Sequence, residues 1–240
     1  MKINLAKTIS EIDFNLINSK LVLGKKLRLD IGTSINAPVS KYWLDNENNI
    51  FVIGFEPNPN CVFKDNYWNG QYMNITSIFK EYSKKEDYYH LICGIDNVED
   101  PTKADLFLTT NNTGCSSLLE PIIENISGCE FDGKIPVELI SAKWFLDRIN
   151  YDLIEMVKID AQGKDLDIVK SFKNHLKQVV FLDVEGDSTR FYRNAPNERE
   201  IINTIEAFGF KCYENLNDNY RFVNSEINIP SEFNNITGDM

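Results

Sequence analysis

At 240 residues, the chain has the length of one α/β domain with elaborations, or of two small domains at most, and its 42% hydrophobic and 25% charged residues are ordinary for a globular protein. The 36 acidic and 25 basic residues give a formal net charge of −11, which argues against non-specific binding to nucleic acid or to an anionic membrane surface. No apolar run approaches membrane-spanning length and no signal-peptide core is present, so we expect a cytoplasmic protein without membrane insertion.

The first predicted elements form one βαβ unit. An apolar strand ends at Ile31 and breaks at Gly32, and Pro38 suits the first turn of the helix that follows. A second apolar strand ends at Phe55 and leads directly into Glu56. In a parallel sheet this acid lies beside the glycine turn, where a ribose can be held. The predicted bounds are 3–23 for a preceding helix that packs outside the sheet or acts as a lid, 27–31 for the first strand, 39–44 for the helix and 50–55 for the second strand.

The middle of the chain is predicted to be rich in strands. Residues 58–68 are compatible with a helix, and strands are expected over 88–95, 104–109 and 135–141. The polar connection over 111–121 contains Ser116 and Ser117 and is longer than most loops. Loops of this length are often functional, and a plain hairpin excursion is the alternative.

The second half of the sequence returns to alternating strands and helices. Strands over 154–159 and 179–184 end at Asp160 and Glu185, and they are followed by helices over 164–172 and 198–208. A hairpin with strands 210–213 and 221–223 closes the pattern. Alternation indicates a mainly parallel, doubly wound α/β sheet, and the hairpin requires an antiparallel strand at or near one edge.

The glycine turn distinguishes between two nucleotide cofactors. Glu56 follows Gly32 by 24 residues, close to the interval of about 20 in dinucleotide folds. However, Thr33 and Ser34 occupy positions where a pyrophosphate loop repeats glycine, and Pro38 lacks an N–H group. S-adenosylmethionine has no phosphate and needs one close glycine with polar groups for its methionine end. The turn therefore favours S-adenosylmethionine over NAD.

Five segments together resemble the FkbM-type methyltransferase family. The segments occur in the family's order: Leu29-Asp30-Ile31-Gly32 with Asn36-Ala37-Pro38, then Phe55-Glu56-Pro57-Asn58-Pro59, Ser116-Ser117-Leu118, Val157-Lys158-Ile159-Asp160-Ala161-Gln162-Gly163, and Val179–Glu185 with a helix and Gly209-Phe210. The resemblance covers about residues 27–223. It differs at Thr33 and Asn36, where the family often has alanine and a second glycine, and at Gln162, where many members carry glutamate.

The resemblance implies a class I, Rossmann-like methyltransferase fold. We expect a mainly parallel seven-stranded sheet with helices on both faces, one antiparallel strand near an edge and a small β insertion. The predicted organisation is a helical extension over 1–24, the methyltransferase domain over 25–224 with its insertion at about 97–141, and a tail over 225–240. The resemblance also implies S-adenosylmethionine-dependent O-methylation of a sugar, a glycan or another small polar acceptor.

The strand ends supply the candidate site residues, because carboxyl ends of parallel strands face the ligand crevice. Asp160 is the first candidate for a general base or an acceptor-orienting group, with capping of the following helix as the alternative, and Glu185 is the second. Asp96 is expected at the adenine amino group with Ile95 against the ring, or else as a solvated turn residue. The expected cofactor contacts are Asp30, Gly32, Thr33, Ser34, Asn36, Glu56, Pro57, Ile95, Asp96 and Asp160, and the expected acceptor contacts are Ser116, Ser117, Gln162 and Arg190.

Metal and thiol chemistry receive little support from the sequence. The five cysteines form no Cys-x-x-Cys pair and only two histidines accompany them, so reduced thiols are expected rather than a disulfide framework or a zinc site. Asp160, Glu185 and Asp187 could together hold a divalent cation, but their spacing is unspecific and no metal is predicted.

Two other functions remain open at the level of sequence. A nucleic-acid methyltransferase could use the same fold, although the acidic balance and the lack of an Asp/Asn-Pro-Pro-Tyr/Phe-type motif disfavour it. A non-catalytic module could retain the cofactor pocket without turnover. The sequence names neither the acceptor nor the oligomeric state.

Overall fold

The computed structural model describes residues 7–35, 37–63, 66–68, 71–73, 85–109, 113–122, 130–186, 189, 191–216 and 219–228. The helices are α1 (Phe14–Val22), α2 (Pro38–Asn46), α3 (Asn60–Phe63), α4 (Ala142–Leu146), α5 (Asp165–Ser171) and α6 (Glu198–Ala207), with short 3₁₀ turns at Ile9–Glu11, Thr113–Cys115 and Lys173–Gln178. The strands are β1 (Lys26–Ile31), β2 (Ile50–Phe55), β3 (Asn66–Trp68), β4 (Gln71–Met73), β5 (Tyr88–Leu91), β6 (Gly94–Ile95), β7 (Thr102–Thr109), β8 (Phe131–Ile140), β9 (Ile154–Ile159), β10 (Val179–Glu185), β11 (Phe210–Leu216) and β12 (Asn219–Asn224).

The main sheet has seven strands in the order β11-β12-β10-β9-β1-β2-β5. All its neighbouring pairs are parallel except those of β12, which runs antiparallel to both β10 and β11. The predicted fold, a mainly parallel sheet with one reversed strand near an edge, is confirmed. The chain leaves β1 towards β2 on one side and later returns to β9 on the other, so the order reverses at β1. Open α/β sheets bind ligands in the crevice beyond the carboxyl ends of strands at such a switch point.

Two hydrophobic clusters cover the two faces of this sheet. Alternate side chains of β1, β2 and β9 join the first cluster, together with apolar residues of α1, α4, α5 and α6. The intervening positions of β2 and β9 join the second cluster, where Trp43 of α2 packs. This division follows from the alternation of side chains along a strand, because both faces of a parallel sheet are buried. It leaves the loops at the strand ends free to form a site.

The insertion after β5 forms a separate three-stranded sheet in the order β6-β8-β7. The predicted strand over 88–95 is in fact two strands, because Leu91 ends β5 in the main sheet whereas Gly94 begins β6, which pairs with β8. The helix expected over 58–68 is replaced by α3 and by β3, which pairs with β4. The division of the chain into extension, domain and tail stays a prediction.

The N-terminal segment and the cysteines differ in part from expectation. The helix expected over 3–23 is divided into a 3₁₀ turn and α1, and Ile17 and Leu21 of α1 are buried in the main core. Cys61, Cys93 and Cys212 are free thiols, but Cys115 is disulfide-bonded, so the expectation of reduced cysteines is wrong there. Spacing alone does not reveal which distant cysteines approach one another. None of the helices in the described part of the chain has the length and hydropathy needed to cross a bilayer.

Candidate functional site

A cavity of about 300 Å³ lies at the switch point of the main sheet. The glycine turn after β1 and the ends of β2 and β9 form its floor. Strand β6, Leu106 of β7, residues 114–118 and Ile168 of α5 form its walls. The predicted long loop therefore contributes to the cavity and is not a plain hairpin excursion.

Gly32 lets the chain pass against the end of β9. Its φ is +78°, and the N–H groups of Gly32 and Thr33 both donate to the Phe55 carbonyl at 2.9 and 3.2 Å. A Cβ atom at this position would lie 1.8 Å from the backbone oxygen of Asp160. Glycine is therefore required here both by its backbone conformation and by the space available. Ser34 follows with a φ of +53° and lines the cavity.

Two residues expected to bind the cofactor have internal partners instead. Thr33 is buried, and its hydroxyl lies 3.0 Å from Nε2 of His90. Asp30 is fully buried, accepts hydrogen bonds from the backbone and hydroxyl of Ser40, and lies 3.5 Å from Nζ of Lys158. Neither residue lines the cavity. Asp30 therefore holds the first turn of α2, and the predicted cofactor contacts of Asp30 and Thr33 are not supported. Asn36 lies outside the described residues.

Glu56 presents a buried carboxyl group to the cavity. Its Oε2 accepts from the N–H of Ser34 at 2.7 Å, and its Oε1 accepts from the N–H of Asn58 at 2.9 Å. Burial raises the pKa of Glu56 to about 7, against the lowering effect of these two hydrogen bonds. Pro57 also lines the cavity. The acid predicted at the end of β2 thus lies beside the glycine turn.

Ile95 and Asp96 have different positions relative to the cavity. Ile95 is buried in β6 and lines the cavity, as expected for a residue that packs on an adenine ring. Asp96 does not line it, because its Oδ1 accepts from the N–H of Asn97 at 2.7 Å and lies 3.1 Å from Nζ of Lys164. Lys164 does line the cavity. The lysine, which sequence reasoning missed, therefore stands between Asp96 and the ligand space.

Asp160 lies at the end of β9 with its carboxylate available to the cavity. Its Oδ2 lies 3.4 Å from Nζ of Lys158, and its Oδ1 accepts from the side-chain amide of Gln162 at 3.0 Å. Burial alone would raise the pKa of Asp160, but Lys158 and hydrogen bonds from Glu185 and Gln162 hold it below its ordinary value. Asp160 is therefore ionised at neutral pH.

The alternative role of Asp160, capping of the helix that follows β9, is filled by another residue. Asp165, at the start of α5, accepts from the N–H groups of Ala161 at 2.8 Å and Gly163 at 3.0 Å. Burial raises the pKa of Asp165 to about 6. Because Asp165 closes the turn after β9, the carboxylate of Asp160 is not needed for it.

Lys158 is a second functional candidate that sequence reasoning did not single out. Its ammonium donates to the carbonyl of Gly32 at 2.7 Å and is also close to Asp30 and Asp160. Burial lowers the pKa of Lys158, but the charges of Asp160, Asp30 and Glu185 outweigh burial and raise it above its ordinary value. A cation is thereby fixed between the glycine turn and Asp160. In the sequence, the signal that could have revealed it is a lysine within the mainly apolar run of β9.

The residues expected at the acceptor are only partly at the cavity. Ser116 and Ser117 line it, but the Ser117 hydroxyl donates to the backbone oxygen of Gln162 at 2.7 Å and so does not have its proton free for a ligand. The Ser116 hydroxyl accepts from the N–H of Thr109 at 3.1 Å. Gln162 lines the cavity, whereas Glu185 lies behind it. Arg190 and Asp187 lie outside the described residues.

No group of three or more His, Cys, Asp or Glu side chains suited to a metal ion occurs among the described residues. The site is therefore described by its carboxylates, its two lysines and its backbone turn.

Comparison with known proteins identifies the family. A family model described as the methyltransferase FkbM domain matches residues 30–212, which is most of the chain. Among solved structures, the chain is similar to TrmK from M. capricolum in complex with S-adenosyl-homocysteine, with 11% sequence identity, a TM-score of 0.42 and coverage of 88% of this chain and 67% of that one. A search of curated proteins finds no match.

Proposed function

Because the chain belongs to the FkbM methyltransferase family, we propose that it transfers the methyl group of S-adenosylmethionine to a hydroxyl group of a sugar, a glycan or another small polar acceptor. The observation that carries the proposal is the meeting of Gly32, Glu56 and Asp160 around one cavity at the switch point of the sheet. Each of these residues ends or follows a different strand, and each has a distinct chemical part in such a reaction.

The residues around the cavity fit this cofactor. Gly32 packs the turn against the end of β9 and itself lines the cavity, so a ligand there can reach backbone that carries no side chain. Glu56 has two carboxyl oxygens that each accept one backbone hydrogen bond and retain a further lone pair for a ribose hydroxyl. Ile95 offers an apolar surface for an adenine ring. Ser34 and the ends of the turn are suited to the polar methionine end.

The bound cofactor supplies a methyl group that is already activated by a sulfonium, so the protein mainly has to align and activate the acceptor oxygen. We assign the ionised carboxylate of Asp160 the role of accepting the proton of the acceptor hydroxyl. The positive charge of Lys158 favours the ionised form of this carboxylate. The Lys158 ammonium also donates to the Gly32 carbonyl, which fixes its position. Lys164 and Leu106 line the same cavity, where they offer one cationic and one apolar contact to the acceptor.

The roles of Glu56 and Asp160 can be separated by their alanine variants. Glu56→Ala should weaken S-adenosylmethionine affinity tenfold or more, because hydrogen bonds to a charged group contribute about 1.5–3 kcal/mol. Asp160→Ala should change this affinity much less and lower turnover by about 10²- to 10⁴-fold, the usual contribution of a general base. Affinity is measured by isothermal titration, and turnover by transfer of labelled methyl groups to a panel of mono- and oligosaccharides.

Glu86→Ala is the matched control, because Glu86 is a surface carboxylate whose side chain is 86% exposed. It should leave both affinity and turnover unchanged. Absence of binding at millimolar S-adenosylmethionine would refute the cofactor assignment. Equal losses in the Glu56 and Asp160 variants would refute the division of roles.

A further inference from the structure

Gln162 occupies an unusual backbone position directly beside Asp160. Its φ is +52° and that of the following Gly163 is +94°, so the chain makes a left-handed turn at the end of β9. A left-handed conformation is unfavourable for a residue with a side chain, and it persists only where the surroundings fix it. Here the Ser117 hydroxyl donates to the Gln162 carbonyl at 2.7 Å. The cavity wall formed by residues 114–118 is thereby joined to the turn that bears Gln162.

The side-chain amide of Gln162 joins two carboxyl groups. Its Nε2 lies 3.0 Å from Oδ1 of Asp160 and 3.0 Å from Oε2 of Glu185. Its Oε1 lies 3.0 Å from the hydroxyl of the buried Tyr192, which is also 2.8 Å from the Cys115 carbonyl.

The surroundings determine which way this amide points. The ionised Asp160 carboxylate can only accept, so it needs the NH₂ group of Gln162 on its side. The single proton of the Tyr192 hydroxyl has two acceptors within reach, the Cys115 carbonyl and Oε1 of Gln162. The Asp160 carboxylate therefore sets the orientation of the amide, with the NH₂ group towards Asp160 and Glu185. A carboxylate at position 162 would instead bring three acidic groups together.

Several ionisable groups surround the carboxylate of Asp160. Burial and the charges of Asp160 and Asp165 raise the pKa of Glu185 well above its ordinary value. The pKa of Asp160 lies below its ordinary value, because Lys158 and hydrogen bonds outweigh its burial, so Asp160 loses its proton before Glu185 does. The titratable groups that act on this pair come from several elements, and they are Lys158 of β9, Asp183 of β10, Asp165 of α5, Glu56 after β2 and Tyr192. Asp30 of β1 acts on Lys158.

We propose that Gln162 is a positioning residue, which acts as a neutral bridge between Asp160 and Glu185 and holds the Asp160 carboxylate ionised at the cavity wall. This role rests on the proposed function of Asp160 as the proton acceptor, and it replaces the expectation that Gln162 contacts the acceptor. Two N–H bonds of one amide fix the two carboxyl groups relative to each other. Tyr192 and Ser117 fix the amide in turn, so the bridge connects the carboxylate pair to two separate loops.

The test is a pH titration of the Asp160 carboxyl carbon by ¹³C NMR on the ligand-free full-length protein. The signal is assigned by its loss in Asp160→Asn, and the midpoints are attributed to the coupled pair. Gln162→Glu should raise the lower midpoint by about one to two pH units, because a like charge within hydrogen-bond distance opposes ionisation. Gln162→Met, which has a similar length and no charge, should raise it by a smaller amount.

Gln162→Asn separates bridging from backbone strain, because asparagine tolerates a positive φ but is one methylene too short to join both groups. It should shift the midpoint as Gln162→Met does, and it should unfold less readily than Gln162→Met because only methionine adds backbone strain at the positive φ. A merely structural role would change the thermal midpoint of unfolding and leave the titration unchanged. Unchanged Asp160 midpoints in Gln162→Met and Gln162→Asn would overturn the inference, and they remain informative if Gln162→Glu does not fold.

S-adenosylmethionine affinity, measured on the same samples, keeps this inference distinct from the proposed function. Shifted midpoints without cofactor binding would support the bridge and refute the methyltransferase site. Cofactor binding with unshifted midpoints would refute the bridge alone.

Discussion

Gly32 is the residue at which the backbone of the site leaves least freedom. Replacement by alanine would place a Cβ atom 1.8 Å from the Asp160 carbonyl, in addition to the cost of a positive φ. We expect Gly32→Ala to lower the free energy of unfolding by more than about 2 kcal/mol and to abolish S-adenosylmethionine binding, because the end of β9 must move. Urea denaturation and isothermal titration measure the two effects.

Gly24→Ala provides the matched control for this substitution. Gly24 has a φ of +76°, close to that of Gly32, but no atom of the described residues lies within 4 Å of the point that a Cβ atom would occupy there. Its replacement should lower the free energy of unfolding only by the roughly 1–2 kcal/mol that a positive φ costs alanine, and it should leave cofactor affinity unchanged. Equal destabilisation by the two substitutions would show that the contact with Asp160 has no effect.

Single residues of the site could be predicted from the sequence when their role depends on the backbone. Gly32, Glu56 and Asp160 were found because each ends a strand, and strand ends meet at one edge of a parallel sheet. Thr33 and Ser117 were assigned to ligands, but their hydroxyls bond to His90 and Gln162. The direction of a side chain on a loop depends on distant partners, which a sequence pattern does not contain.

At the scale of elements, strand β1 is joined to its neighbours by a buried charge cluster. Arg28 is 1% exposed, its Nε donates to Glu155 of β9 at 2.6 Å, and its Nη1 donates to Glu47 after α2 at 2.6 Å. Its guanidinium also lies 5.2 Å from the centre of the Trp43 ring. One side chain thus connects two strands and a helix on the face of the sheet away from the main core.

Removal of Arg28 should therefore destabilise the protein strongly. Arg28→Ala leaves the Glu155 carboxylate buried with fewer partners, and loss of one member of a buried pair costs about 3–5 kcal/mol. Lys41→Ala is the control, because Lys41 forms an exposed pair with Asp45 one helical turn away and should change stability by less than about 1 kcal/mol. Urea denaturation at neutral pH compares them, and similar losses would contradict the assignment.

Elements were predictable where buried runs were long and regular. The strands of the main sheet follow from apolar runs such as Ile50–Phe55, in which every residue is buried. The break between β5 and β6 was missed, because the weak alternation from Tyr88 to Ile95 indicates one strand although the run belongs to two sheets. The extension of β8 to Phe131 was also missed, since its outer half is largely exposed and carries little hydrophobic signal.

At the scale of the whole molecule, alternation of strands and helices indicated a parallel sheet but did not fix the order of its strands. The family resemblance implied seven strands with one antiparallel strand near an edge, and the structure supplies the order β11-β12-β10-β9-β1-β2-β5, with the reversal at β1. The location of the cavity is therefore a property of the whole topology. Two buried ionisable residues, Glu56 at the cavity and His90 beside Thr33, make the stability of the folded chain depend on pH.

His90 and Glu56 should change the stability of the folded chain in opposite directions between pH 5 and pH 7. Burial lowers the pKa of His90 from 6.5 to about 3, so only the unfolded chain binds its proton and stability falls by about 2 kcal/mol from pH 7 to pH 5. Burial raises the pKa of Glu56 from 4.5 to about 7, so the folded chain binds the proton more tightly and stability rises by about 2 kcal/mol over the same interval.

Variants that do not titrate should expose the two contributions separately. The quantity compared is the free energy of unfolding at pH 5 minus that at pH 7. Relative to the unsubstituted protein, His90→Gln should raise this difference by about 2 kcal/mol, and Glu56→Gln should lower it by about the same amount. Ionisable groups that do not interact with the substituted residue cancel in this comparison, which urea denaturation at pH 5, 6 and 7 provides. Parallel curves for the three proteins would mean that burial shifts the pKa of neither His90 nor Glu56, and both assignments would then be wrong.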